Sequence, residues 1–198
     1  VYIEIFKLRG VDLFERKRIV YRCFPETYPP SRCNVLAELA ADYGFFEAPA
    51  STKYHGNFAG GLVLHSLHVF YRMSQNCVYE FGRDCGEGIP FPPDRMESIA
   101  IAALLHDICK AEFYKIDYKN QKVYSEQGRQ FDKRGAYSWE SVPFYTVDEK
   151  FPFGHGEKSV FLINEHMRLT RDEALAIRFH MGDFTDRNTG KAYEMCPL

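Results

Sequence analysis

Apolar residues recur at helical spacing along most of this chain. Residues 11 to 22 carry a weak helical pattern, and Phe24 to Pro30, with its prolines, reads as a linker. Ser31 then stands where an N-cap belongs, with Val35, Leu36, Leu39 and Ala40 as an apolar stripe and Gly44 as its stop. Phe45 to Gly61 reads as loop. From Leu62 to about Phe81 the stripe Leu62, His65, Val69 and Met73 predicts a helix that turns His65 inward. Beyond the loop Pro90 to Pro93, Asp94 and Glu97 have capping-box spacing and open a helix on which Ile99, Ala102, Ala103 and His106 share a face. The small alanines predict a close neighbour, so the two histidine-bearing helices are expected to pack together.

Residues 111 to 153 lose this period. Tyr114 to Tyr118 and Val123-Tyr124 flank Asn120-Gln121, and Trp139, Val142, Phe144, Tyr145 and Val147 follow, a pattern that predicts a small β-hairpin. Helices resume from Glu157 to about His166, and Thr170 with Glu173 forms a capping box for a helix ending near His180. The expected fold is all-α: a helical bundle with a small β-hairpin insertion at about residues 112 to 150. It is read as one domain spanning 1 to 198, with 1 to 30 a peripheral N-terminal segment.

Composition adjusts this picture little. With 198 residues, 45% hydrophobic and 26% charged, the chain is the size of one domain with a real core. A net charge of -2 excludes a global basic field of the kind that drives sequence-independent nucleic-acid binding. No apolar run reaches the length of a membrane span and the N-terminus lacks a secretion signal, so the expected location is cytoplasmic and no membrane partner is expected. Cys23, Cys33, Cys77, Cys85, Cys109 and Cys196 show no C-x-x-C pair and read as reduced thiols. The chain begins at Val1, which reads as a processed or truncated N-terminus.

The candidate chemistry lies in Ala103-Leu104-Leu105-His106-Asp107-Ile108-Cys109-Lys110, with His65 on the preceding helix. Neutral imidazoles and a carboxylate hold a borderline divalent cation, and such a cation activates water for hydrolysis. A lone buried histidine is ordinarily a hydrogen-bonded core residue, and His68 and His166 are read that way or as helix-end groups. His65 together with His106-Asp107 is a stronger signal. Lys110, one turn past His106, could neutralise a phosphate or Asp107 itself. Gly156 to Ser159, including Lys158, opens a helix whose free N–H groups could receive an anion. Lys53 and His55 are candidates for a further phosphate contact. Phe113, Tyr114, Tyr118, Tyr124, Tyr137, Trp139 and Tyr145 read either as the core of the β-unit or as a platform for nucleobases.

Gly60-Gly61-x-x-x-His65-Ser66, His106-Asp107-Ile108-x-Lys110, Gly154-His155-Gly156-Glu157-Lys158-Ser159 and Ile177-x-x-His180 together resemble the HD-domain superfamily of metal-dependent phosphohydrolases. The resemblance implies an HD-type helical bundle around one or two divalent ions (Mn, Fe, Ni, Zn or Mg). It implies His65, His106 and Asp107 as ligands and His155 and His180 as the histidines of members holding a second metal. Asp107 and Lys110 become the catalytic residues, and Lys53, His55, Lys110 and Lys158 the substrate contacts. Such families complete the metal site with a later aspartate on a helix. Here Asp183 or Asp186 would have to substitute, unless that ligand lies in a missing C-terminal segment. The expected function is hydrolysis of a phosphoester in a phosphorylated small molecule, such as a nucleotide, or a single-stranded nucleic-acid end, with protein partners left open. The alternative is a non-catalytic metal- or nucleotide-binding module, and a purely structural metal is a third reading.

Overall fold

The computed structural model describes residues 13–22, 32, 39–40, 42–82, 93–151 and 153–182. Helices α1 (Leu13–Arg22), α2 (Gly61–Gly82), α3 (Pro93–Leu105), α4 (His155–Asn164) and α5 (Arg171–Arg178) accompany strands β1 (Tyr114–Tyr124), β2 (Gln130–Asp132) and β3 (Gly135–Val147). A 3-10 turn, Ile108–Lys110, links α3 to the sheet.

The pattern-based helices hold where apolar burial drives them. Leu62, Val63, Leu67, Ala100, Ile101 and Leu104 are at most 1% exposed, and α2 packs along α3 as the alanines implied. Leu39 and Ala40 are helical and buried, and Gly44 follows at a φ of 68, where a side chain would be strained. Ser31, Val35 and Leu36 lie outside the described residues. Gly60 takes a φ of 75 and receives a hydrogen bond on its carbonyl from Arg16 of α1. A Cβ on Gly61 would stand 2.0 Å from the Gly56 carbonyl oxygen. The Gly60-Gly61 pair therefore seats the loop before α2 at the point where the His65 helix begins.

The all-α expectation is overturned: among the described residues helices make up 46% and strands 20%, so the fold is mixed α/β. The insertion is a three-stranded antiparallel sheet of order β1-β3-β2, with Tyr114 paired to Val147 and Tyr124 to Tyr137. Asn120-Gln121 does not turn the chain but lies mid-strand, opposite Ser141 and Glu140. The reversal comes at Lys133-Arg134, between β2 and β3, whereas Ser125 to Gly128 carries the chain from one side of β3 to the other, where a Cβ on Gly128 would meet the Tyr137 nitrogen at 2.2 Å. The sheet was underestimated because most of its strand residues stay exposed, and an uncovered ribbon lacks the apolar-in, polar-out alternation that marks a core strand.

Two capping boxes were expected and one is present. Thr170 Oγ1 accepts from the Glu173 N–H while the Glu173 carboxylate accepts from the Thr170 N–H. In α3 the helix already includes Pro93, so Asp94 is not its cap, and Glu97 is turned inward to face Arg32 at 3.5 Å. Proline suits a first helical position because it has no N–H to leave unsatisfied. Helix α4 starts at His155, and Gly156 lets it lie against α5: a Cβ there would sit 2.1 Å from the Arg178 carbonyl oxygen. Gly156→Ala must push two helices apart, since a backbone carbonyl cannot yield, and is expected to cost about 3 kcal/mol in chemical unfolding.

Candidate metal centre

His106 and Asp107 occupy the turn that ends α3 rather than the helix itself. The last carbonyls of a helix lack intrahelical donors. Ala103 O takes the Nδ1–H of His106 at 2.9 Å, and in α5 Ile177 O takes the Nδ1–H of His180 at 2.7 Å. The same local device orients both imidazoles and selects the neutral tautomer whose Nε2 is the ligating atom.

Those nitrogens converge on Asp107. His106 Nε2 is 3.3 Å from Asp107 Oδ2, His65 Nε2 is 3.5 Å from the same oxygen, and His180 Nε2 is 3.4 Å from Oδ1. His65 and His106 bring their Nε2 atoms within 3.2 Å of each other. One ligand atom from each of His65, His106 and Asp107 lies within 4.8 Å of the others, a set that could hold one metal ion. Asp107 Oδ1 and His180 Nε2 are buried without a hydrogen-bond partner. Buried acceptors facing each other are costly unless something positive lies among them. The donor set therefore fits a divalent cation of the borderline kind.

The electrostatics favour the ligand forms of His65 and Asp107. Burial, then the neighbouring His106, pulls His65 down to about 4, so its imidazole is neutral at pH 7. Burial alone would raise Asp107, but His106, His180 and the charge of Lys110 outweigh it and hold the carboxyl well below its ordinary value. Burial would lower His180, yet Asp107 and the Ile177 carbonyl turn the balance and raise it. Lys110 Nζ donates to Asp107 Oδ2 at 2.7 Å. His65 is the most open member, with its side chain 27% exposed, so solvent reaches the centre from the α2 side.

The remaining expected residues divide. His55 stacks on His65 with ring centroids 5.1 Å apart, which places it at the mouth. Lys53 is exposed in the loop before α2. His155 is not in the cluster: its Nδ1 faces Cys109 Sγ at 3.6 Å and its ring meets Phe113 edge-on. It stays within electrostatic reach of Lys110, Asp107 and His180, and burial together with Lys110 lowers its pKa. Lys158 is buried, paired with Glu149 and set over the Phe113 and Phe151 rings, so its charge is already matched. The Gly154–Ser159 string docks α4: Gly156 meets Arg178, Glu157 pairs with Arg178, and Ser159 Oγ accepts from the Cys109 N–H. Asp183 and Asp186 lie outside the described residues.

In the sequence Tyr114 reads as part of the core of the β-unit or of a platform for nucleobases, with no tie to the ligand cluster. It is half-buried at the start of β1, and burial with the charge of Asp107 pushes its phenol up to about 12. Its signal in the sequence is position alone: the first strand residue after the turn that carries His106 and Asp107. Cys109, likewise buried, is driven up to about 11 and remains a thiol at neutral pH.

No protein-family profile matches the chain, and no curated protein or solved structure matches it either. Among the described residues, no helix is long and apolar enough to cross a membrane.

Proposed function

We propose that this chain is a metal-dependent phosphohydrolase that cleaves a phosphoester, with His65, His106 and Asp107 holding a divalent ion and His180 beside the free carboxylate oxygen. The observation that carries this reading is the pair of buried, unpartnered acceptors, Asp107 Oδ1 and His180 Nε2, set against two further imidazole nitrogens. A divalent ion bound among them would acidify a water and polarise a phosphoryl oxygen. The ion-binding set is His- and Asp-based and open on the His65 side, whereas a purely structural site is closed.

Each residue's part follows from its place. The helix-end carbonyls of Ala103 and Ile177 fix the tautomers of His106 and His180. Asp107 supplies the anionic ligand, kept ionised by Lys110. Lys110 also keeps a positive charge next to the reacting phosphate, where it offsets the developing negative charge. His55 and Tyr114 border the approach and offer polar contacts to the substrate. The substrate class is a nucleotide or a single-stranded nucleic-acid end, and the reaction takes place inside the cell.

The test is metal analysis of chelator-free protein followed by assay on phosphomonoesters and phosphodiesters with added Mn²⁺ or Ni²⁺. Hydrolysis that disappears in a folded His65→Ala variant is the expected result. Metal bound by wild-type protein without turnover on any of these esters would contradict catalysis and leave a binding module.

A further inference from the structure

The strand register sorts the sheet into two unlike faces. Tyr114, Ile116, Tyr118, Lys122 and Tyr124 of β1 lie opposite Val147, Tyr145, Pro143, Trp139 and Tyr137 of β3, so all point to one side. Across this face Tyr137 packs against Tyr124 and Trp139, with ring centroids 5.7 and 6.3 Å apart. Only Tyr137 is buried. Tyr118 is 65% exposed, Ile116 58%, Trp139 56%, Val147 49% and Tyr124 41%. The side chains thus form one aromatic surface, and no described element covers it.

The face is also electrically neutral. Its charged strand residues, Lys122 and Asp132, pair at 2.8 Å, with the ammonium lying 4.0 Å over the Tyr137 ring. Single-strand binders combine stacking rings with unpaired cations that track the backbone, and here the strand cation is already matched. A polyanion gains little from such a surface. An apolar, neutral partner gains much.

We propose that this aromatic face is the contact through which two copies of the chain associate, sheet face against sheet face about a two-fold axis. A neutral face does not repel its own copy, and a two-fold contact uses the same patch twice. At roughly 200 Å² per large aromatic side chain, the exposed fractions place on the order of 500 to 600 Å² of apolar surface on each copy. Two such faces bury roughly 1,000 to 1,200 Å², the lower end of specific interfaces, and the patch on a lone copy lies at the upper end of what monomers expose. Tyr and Trp at the centre are the residue types that dominate interface energetics. The inference is independent of the metal reading.

Trp139 is the sole tryptophan, so its emission reports directly on this face. The experiment is sedimentation velocity on the whole chain from about 1 μM to about 100 μM, with Trp139 emission followed over the same range. A monomer–dimer equilibrium is expected, with emission shifting to shorter wavelength as the dimer forms. Tyr118→Glu and Trp139→Ala are exposed positions that leave far-UV circular dichroism unchanged, and each is expected to weaken association about thirtyfold or more. Three results would overturn the proposal: a monomer with solvent-exposed indole emission throughout, a dimer that persists in both variants, or a monomer whose Trp139 emission shifts only when a single-stranded oligonucleotide is added.

Discussion

Asp107→Ala is expected to remove metal uptake and to lower phosphoester hydrolysis by at least about a thousandfold, equivalent to about 4 kcal/mol of barrier. The carboxylate is the only anion among the ligand atoms brought together, and both of its oxygens face imidazole nitrogens. Without it, three imidazoles and Lys110 remain, and no other described residue of the cluster supplies a negative charge to hold a divalent ion. A metal held by these residues would stabilise the wild-type fold by mass action, since the unfolded chain has no assembled site. The variant is expected to lose that metal-dependent rise in Tm as well as its activity. A folded Asp107→Ala protein that still melts higher with Mn²⁺ would place the ion elsewhere.

The largest effect on stability is expected at Glu173, which is 2% exposed and ties three parts of the fold together. Its carboxylate accepts from Arg32 at 2.8 Å, from Ser98 Oγ at 2.7 Å and from the Thr170 N–H at 2.8 Å. Glu173→Ala leaves the half-buried Ser98 hydroxyl without its acceptor, takes from Arg32 the nearer of its two carboxylates and removes half of the capping box, a loss of about 3 to 4 kcal/mol. Burial alone would raise this carboxyl, but Arg32, Thr170 and Ser98 outweigh it and hold its pKa below the ordinary value. Its stabilising contribution is therefore complete above the unfolded pKa of about 4.3 and is lost as pH falls through the lower folded value. Chemical unfolding as a function of pH checks this: wild type is expected to lose stability on the acid side, and Glu173→Gln to show a shallower loss. Parallel acid limbs for the two proteins would show that Glu173 does not carry the charge linkage.

The centre was legible in the sequence wherever a residue's role depends on local spacing. His106 and His180 each follow by three positions the helix-end carbonyl that orients them, and Thr170 with Glu173 has the spacing a capping box needs. Long-range competition decided the rest. Glu97 has the spacing of a capping residue, yet Arg32 draws it inward. Lys158 sits near a helix N-terminus as a phosphate contact would, but Glu149 and two aromatic rings reach it first. His155 is turned to Cys109 because Gly156 brings α4 against α5 at a fixed height. The sheet was read as a small excursion because exposed strands carry little burial signal, and its extent depends on pairing across more than twenty residues of chain separation.

The most direct test of the converging ligand set is titration of chelator-treated protein with Co²⁺, followed by visible d–d absorption. A single saturable site with a spectrum of mixed nitrogen and oxygen ligation is predicted, abolished in His65→Ala and His106→Ala and unchanged in His68→Ala, whose side chain is exposed on α2 away from the cluster. Co²⁺ bound with an identical spectrum by the His65→Ala and His106→Ala proteins would contradict the account.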